Sequence, residues 1–235
     1  MTTKEFNKIV EKDYINEGLY LSSNESYPLM KYDEEYGGEK KPFEKIKFLS
    51  VGLNPSLTSD AKKELNKILS QTSTNRVKML TDYQYKLKYV KPHQIQYFKL
   101  IDAFFTEISN QASTFKENVF HYDFCQLRQT ESKEIKPTIR RNSALLLEHL
   151  LKVIDMTQPK IVFIFNGFLS SLLLEKGCFV QNEPNKDEGC YFIKGKEDLC
   201  KVVLSNQLSG GATSVVHRKF LIWHSKKLIN NVLGE

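Results

Sequence analysis

Residues 46 to 53 form a nearly continuous apolar run, which constrains the fold more than any other stretch of the chain. Strands of parallel sheets are covered on both faces, so their sequences show such runs instead of alternating apolar and polar residues. The run ends at Asn54-Pro55-Ser56, and a proline keeps the preceding residue out of helical backbone. We therefore predict a buried strand that presents Asn54 at its carboxyl end, where ligands bind in open α/β sheets. A plain strand-to-helix turn, capped by Asn54 or Ser56, is the alternative interpretation.

The amino-acid composition is that of an ordinary globular protein. The chain has 235 residues, enough for one α/β domain with additions, and it is 40% hydrophobic and 26% charged. Its net charge of +6 favours polyanionic partners, although many proteins share such a balance. No apolar run approaches the roughly 20 residues needed to cross a bilayer, and the first residues lack the apolar core of a signal peptide. We expect a cytoplasmic, monomeric protein that makes no membrane contact.

The four cysteines lack the C-x-x-C spacing of zinc and iron–sulfur sites. They are Cys125, Cys178, Cys190 and Cys200. Reduced thiols in the core are the simpler interpretation for an intracellular chain. We therefore predict neither a metal ion nor another cofactor.

Further segments alternate between strand and helix patterns. Apolar runs predict strands at 119–124, 160–165 and 201–206. Spacing and composition predict helices at 59–70, 94–108, 142–154, 168–175 and 214–233, and residues 178–193 predict a hairpin around a polar turn. Such alternation indicates an α/β fold: a three-layer α/β/α sandwich with a central four-stranded parallel sheet and an appended hairpin. We predict one domain over 1–235, with residues 1–45 an N-terminal extension packed on the core.

Two basic segments are candidates for contacts with nucleic acid. Residues 76 to 99 hold six basic residues against one acidic residue, interleaved with tyrosines. Cations that follow phosphates and rings that stack on bases are what nucleic-acid grooves need, although a solvated tyrosine-rich loop has the same pattern.

The second basic segment follows the last predicted strand. A glycine-rich loop precedes the helix predicted at 214–233, and it contains Ser209, Gly210, Gly211 and Thr213. Three further candidates, His217, Arg218 and Lys219, lie near the start of that helix. Glycines before a helix expose N–H groups that could hold a phosphate. A plain capping loop is the alternative.

The order of these segments resembles the uracil-DNA glycosylase superfamily, and most closely its mismatch-specific uracil/thymine branch. That branch has Gly-Ile-Asn-Pro-Gly after its first strand, where this chain has Gly-Leu-Asn-Pro-Ser at 52–56. Its next motifs, an aromatic residue, a proline and an aromatic pair with lysine, resemble Tyr89, Pro92 and the segment 97–99. The stretch after its second strand is similar to 125–130, and its third strand, which follows Gln-Pro, resembles 158–167.

The last motif departs from the family pattern. The family has Asn-Pro-Ser-Gly after its fourth strand, and residues 206–210 here carry one extra residue and no proline. Other branches place a histidine in this motif, and these five residues contain none. The resemblance extends over roughly 46–230, and the order of the motifs is stronger evidence than any single motif.

The resemblance implies a monofunctional glycosylase that flips a uracil-like, mismatched or modified base from single-stranded or duplex DNA and hydrolyses its N-glycosidic bond. Asn54 would orient the attacking water. Asp123 is the alternative acid or base, and a turn-capping carboxylate is the competing interpretation of that residue. The implied base-binding residues are Gly52, Leu53, Tyr89, Phe124 and Asn206. The implied DNA-binding residues are Ser56, Arg128, Ser209, Gly210, Gly211, Thr213, His217, Arg218 and Lys219.

Two other functions remain open at the level of the sequence. The chain could keep the glycosylase fold as an inactive DNA-binding or partner-binding protein, because fold does not imply function. It could also be a nucleotide-binding α/β enzyme, because a glycine-rich turn before a helix suits a mononucleotide phosphate. A lone histidine in a strand, His121, is expected to be structural.

Overall fold

A computed structural model describes residues 1, 3–19, 47–53, 63, 66–67, 95–109, 118–127, 132–206, 208 and 214–233. These residues form an α/β fold in which helices flank a five-stranded sheet. The strands are β1 (Phe48–Gly52), β2 (Val119–Asp123), β3 (Ile161–Phe165), β4 (Tyr191–Phe192) and β5 (Lys201–Ser205). The helices are α1 (Thr3–Asn16), α2 (Gln96–Ser109), α3 (Ser132–Arg141), α4 (Ser143–Thr157), α5 (Gly167–Glu175) and α6 (Val215–Leu233).

The sheet has the strand order β2-β1-β3-β5-β4. The pairs β1–β3 and β3–β5 are parallel, with Leu49 opposite Val162 and Val162 opposite Val202. The pair β2–β1 is parallel as well, because its backbone hydrogen bonds from Lys47 to Asn118 and from Phe124 to Gly52 advance in the same direction along both strands. The predicted four-stranded parallel sheet is confirmed.

Strands β1, β2 and β3 are buried along their whole length. Every residue of β1, β2 and β3 is buried, as the continuous apolar runs predicted. Helix α2 covers this sheet with aromatic rings: the Phe105 ring lies 5.6 Å from that of Phe48 and 5.4 Å from that of Phe163, measured between centroids. These aromatic contacts pack α2 against the first residue of β1 and the middle of β3.

The appended hairpin is confirmed and extends the sheet. Phe179 bridges to Ile193 in antiparallel fashion, and the N–H of Val180 donates to the carbonyl of Phe192. The second arm of this hairpin contains β4, which pairs antiparallel with β5. Gly189 in the turn has a φ of +68°, a left-handed conformation that favours glycine.

Helices α2, α4, α5 and α6 correspond to predicted helices, whereas α1 and α3 were not predicted. Helix α1 buries Phe6, Val10 and Tyr14, which lie four residues apart on one face. Helix α3 contains Pro137, a residue that normally argues against a helix interior. Within the predicted helix at 59–70 the structure describes Lys63, Asn66 and Lys67, all helical, and the rest of that range lies outside the described residues.

Contacts between Cα atoms divide the chain into two compact units. Unit 1 comprises Met1–Phe43, Gly52–Lys86 and Tyr122–Met156, and unit 2 comprises Glu44–Val51, Leu87–His121 and Thr157–Glu235. The boundaries pass through β1 and β2, so the last residues of both strands belong to unit 1. The prediction of a single domain stays a prediction. Over the described ranges, no helix combines the length and apolarity that a membrane span requires.

Candidate functional site

In unit 1, the carboxyl ends of β1 and β2 are joined by backbone hydrogen bonds. The N–H of Phe124 donates to the carbonyl of Gly52, and the N–H of Cys125 donates to that of Leu53, each at 2.9 Å. The Leu53 side chain is buried as well. The chain is therefore fixed up to the residue before Asn54, which itself lies outside the described residues.

Asp123 ends β2 in a sheltered position. Its residue surface is only 4% exposed, and the side-chain amide of Gln126 donates to its backbone carbonyl. Phe124 follows it, fully buried. The turn that carries these residues is thus held by its own side chains, while the acid/base role and the capping role of Asp123 both stay predictions.

Helix α1 reaches this turn through Tyr14. The backbone N–H of Gln126 donates to the Tyr14 hydroxyl over 2.9 Å, and the tyrosine is completely buried. Burial raises the pKa of Tyr14 well above its usual value, so the hydroxyl stays neutral and can also donate a hydrogen bond. A residue from the N-terminal extension therefore supports the backbone just beyond Asp123.

The thiol of Cys125 lies in the same buried turn. Burial raises the pKa of Cys125 to about 11, so the side chain is a neutral thiol near pH 7 and a poor nucleophile. The other three cysteines are also buried and free, which confirms the prediction of core thiols. Within the described part of the chain, no three histidine, cysteine or acidic side chains are grouped as a metal site would require.

His149 on α4 lies behind Tyr14. The two rings stack with centroids 6.0 Å apart, and the Phe6 ring meets His149 edge-on at the same distance. The Nε2 atom of His149 lies 2.8 Å from a carboxylate oxygen of Asp13. Burial lowers the pKa of His149, and the hydrogen bond to Asp13 offsets part of that effect. His149 is therefore a buried, neutral link between α1 and α4.

We predict that His149 makes the protein less stable as the solution becomes acidic. Its folded-state pKa lies below the usual 6.5, so between these two values the unfolded chain binds more protons than the folded protein. The free energy of unfolding should fall as the pH falls through that window. The variant His149→Gln keeps a donor for Asp13 but cannot titrate, so its urea-unfolding free energy should depend less on pH as the pH falls below about 6.5. Parallel pH profiles for the two proteins would contradict this.

His121 in β2 has a structural environment in unit 2. The hydroxyl of Ser50 lies 3.0 Å from its Nδ1 atom, and the rings of Tyr97 and Phe98 meet it edge-on at 5.7 Å and 5.2 Å. The residue is 2% exposed. This packing agrees with the structural role expected for a lone strand histidine.

Asn206 follows β5 in unit 2 and has an exposed side chain. Its oxygen approaches the first residue of α5 closely: a Cβ atom added to Gly167 would lie 2.3 Å from Asn206 Oδ1. The preceding residue, Asn166, caps α5 by accepting a hydrogen bond from the N–H of Leu169. Glycine at 167 therefore makes room for the observed Asn206 side chain.

The start of α6 also belongs to unit 2. The Ser214 hydroxyl accepts a hydrogen bond from the N–H of His217, and Nη2 of Arg218 donates to the carbonyl of Leu208 over 3.2 Å. The Arg218 side chain is half-buried, whereas His217 and Lys219 are exposed. Arg218 therefore contacts the backbone of the preceding loop at Leu208. Its predicted contact with a DNA phosphate stays a prediction.

The predicted site residues divide into two groups. Gly52, Leu53, Asp123, Phe124, Asn206, His217, Arg218 and Lys219 are described, with the contacts given above. Asn54, Ser56, Tyr89, Arg128, Ser209, Gly210, Gly211 and Thr213 lie outside the described residues. Their roles stay predictions.

Sequence reasoning missed the residues that support the turn after β2. Tyr14 could have been found as part of a buried face, since Phe6, Val10 and Tyr14 recur every four residues. Nothing local to Gln126 indicates that its N–H donates to a tyrosine 112 residues away.

Comparison with known proteins leaves the family of this chain open. No protein-family model matches the chain, and no curated protein matches it. The resemblance to the uracil-DNA glycosylase superfamily therefore depends on the motifs of the sequence and their order.

Proposed function

We propose that the protein is a monofunctional DNA glycosylase that removes a uracil-like, mismatched or modified base from single-stranded or duplex DNA. The observation that best supports the proposal is the fixed end of β1. Two backbone hydrogen bonds, from Phe124 and Cys125 just after β2, hold Gly52 and Leu53 directly before Asn54. An asparagine that follows such a rigid strand end is well suited to orient a small molecule such as water.

In the proposed reaction, the target base leaves the stack and enters a pocket. Asn54 orients the water that attacks the sugar carbon while the bond to the base breaks. An amide is a poor base, so the rate would depend on position and on stabilisation of the departing base anion, with no cofactor. Tyr89 would stack on the base, and Asp123 is the second candidate for proton transfer. Backbone groups near Leu53 and Phe124 would contact the polar edge of the base; the Phe124 N–H is already engaged with Gly52.

The proposal also assigns DNA contacts to two further segments. Asn206 and the loop that follows it would bind the DNA strand. Lys219, an exposed cation, follows that loop in the sequence. Arg128 and Ser56 complete the set that the resemblance implies.

We predict that Gly167→Ala changes excision through Asn206 while it leaves the protein folded. The added methyl group would displace the Asn206 side chain, whose flexible end can move at small cost. The free energy of unfolding should change by less than about 1 kcal/mol, because alanine suits a helix better than glycine. Excision should fall to the level of Asn206→Ala, and the double variant should be no worse than either single variant. If the losses of excision activity add up in the double variant, the two substitutions do not act through the same Asn206 side chain.

A gel assay tests the proposed activity. Purified protein is incubated with labelled oligonucleotides that carry uracil, mismatched thymine, deaminated purines or bulky modified pyrimidines, and alkali then cleaves any abasic site. Cleavage at one of these bases supports the proposal. Absence of cleavage over the whole panel would overturn it; retained DNA binding would then favour an inactive relative, and stabilisation by free nucleotides would favour a nucleotide-binding enzyme.

A further inference from the structure

Helix α6 has one buried face and one exposed face. Leu221, Leu228 and Ile229 are buried, and α6 packs against α2 within unit 2. Four side chains at positions i, i+4, i+7 and i+11 run along the opposite face, and we call them the α6 stripe. They are Val216, Phe220, Trp223 and Lys227. All four are exposed, so the stripe is a continuous surface on a rigid helix.

The middle of the α6 stripe is aromatic. Phe220 is 58% exposed and Trp223 is 59% exposed, and their ring centroids lie 5.7 Å apart at an interplanar angle of 37°. The His224 ring is nearly parallel to that of Phe220, with centroids 6.2 Å apart, and its Nε2 atom lies 2.7 Å from the carbonyl oxygen of Glu188. Neighbouring exposed rings form a contiguous apolar patch, and such patches mark binding surfaces when they are large.

The charge on α6 has a single sign. The helix carries Arg218, Lys219, Lys226 and Lys227 and no aspartate or glutamate. Lys219 and Lys227 are exposed beside the rings, and neither forms an ion pair within the described part of the chain. Such a face suits a ligand that combines negative charge with flat apolar groups.

We propose that the α6 stripe binds single-stranded nucleic acid, with bases stacked on Phe220 and Trp223 and phosphates beside Lys219 and Lys227. Single-stranded nucleic acid offers both an anionic backbone and successive aromatic faces. An anionic membrane fits less well, because an interfacial helix needs a broad apolar face and here lysines lie within the face itself. A second copy of the chain would bring lysine against lysine.

The inference goes beyond the proposed excision reaction. Stacking on α6 needs neither Asn54 nor a flipped base, so it would hold for an inactive relative as well. Loss of one property leaves the other measurable.

The chain offers a direct probe, because Trp223 is its single tryptophan. We expect oligothymidylate to quench the fluorescence of Trp223 in the full-length protein, and the affinity to fall as salt is raised. Phe220→Ala should weaken binding by about 5- to 150-fold, the range for loss of one stacked base. Lys227→Glu, a substitution outside the proposed excision site, should weaken binding and reduce the salt slope, by about 0.7 per lost phosphate contact.

Lys160→Glu is the matched control. It makes the same change in net charge at an exposed lysine before β3, and it should leave binding unchanged. If Lys160→Glu weakens the binding of oligothymidylate equally, the effect depends on net charge alone and the proposed binding surface is wrong. Quenching by anionic phospholipid vesicles but not by oligothymidylate, or quenching that follows protein concentration alone, would overturn it in favour of a membrane or a second copy.

Discussion

Asn54→Ala is expected to reduce base excision by about two to three orders of magnitude, the loss seen when one well-placed polar group is removed from a reacting centre. The end of β1 is held by hydrogen bonds from Phe124 and Cys125 to the carbonyls of Gly52 and Leu53, and neither bond involves the Asn54 side chain. The free energy of unfolding and the affinity for DNA should therefore change little. Single-turnover rates on the best oligonucleotide substrate measure the effect.

Asn66→Ala serves as the control, because Asn66 is an exposed helical asparagine that should tolerate the change. Asp123→Asn completes the experiment, since it removes the alternative acid or base and preserves the size of the side chain. If Asn54→Ala keeps full excision activity and Asp123→Asn loses it, the Asp123 carboxylate is the main catalytic group. Full activity in both variants would refute the proposed site.

The fold was predictable where local sequence determines structure. The run that became β3 is apolar throughout and the run that became β1 is nearly so, because both faces of the strands are covered, and this pattern is visible without any knowledge of neighbours. Helix α3 escaped prediction because Pro137 weakens the helical pattern, although Ile135 and Ile139 are buried one turn apart. Packing of that apolar face outweighs the local cost of the proline.

The candidate site was predictable only in part. The motif around Asn54 and the end of β2 stand out because strand ends and turn residues are local features. The contact between Tyr14 and Gln126 joins residues 112 positions apart, and the bond between Ser50 and His121 joins residues 71 positions apart. Such pairs follow from how the elements pack, and no local spacing encodes them.

Tyr14→Ala is expected to lower the free energy of unfolding by about 3–5 kcal/mol, as for other large aromatic side chains removed from a core. The ring is fully buried between α1 and α4, where it stacks on His149. Tyr14→Phe keeps the ring and removes only the hydroxyl that accepts from the N–H of Gln126. That buried N–H would lose its partner, so the second variant should cost about 1–3 kcal/mol.

Urea unfolding of both variants separates the two contributions, and Tyr191→Phe is the control, since Tyr191 is only half-buried and its change should cost less. Under the proposed function, Tyr14→Phe should also slow excision, because the turn that follows Asp123 loses its tie to α1. An unchanged stability in Tyr14→Phe would mean that the Gln126 N–H finds another partner such as water. In that case only the aromatic rings of α1 contribute to its packing within unit 1, and the excision rate of Tyr14→Phe should match that of the unmodified protein.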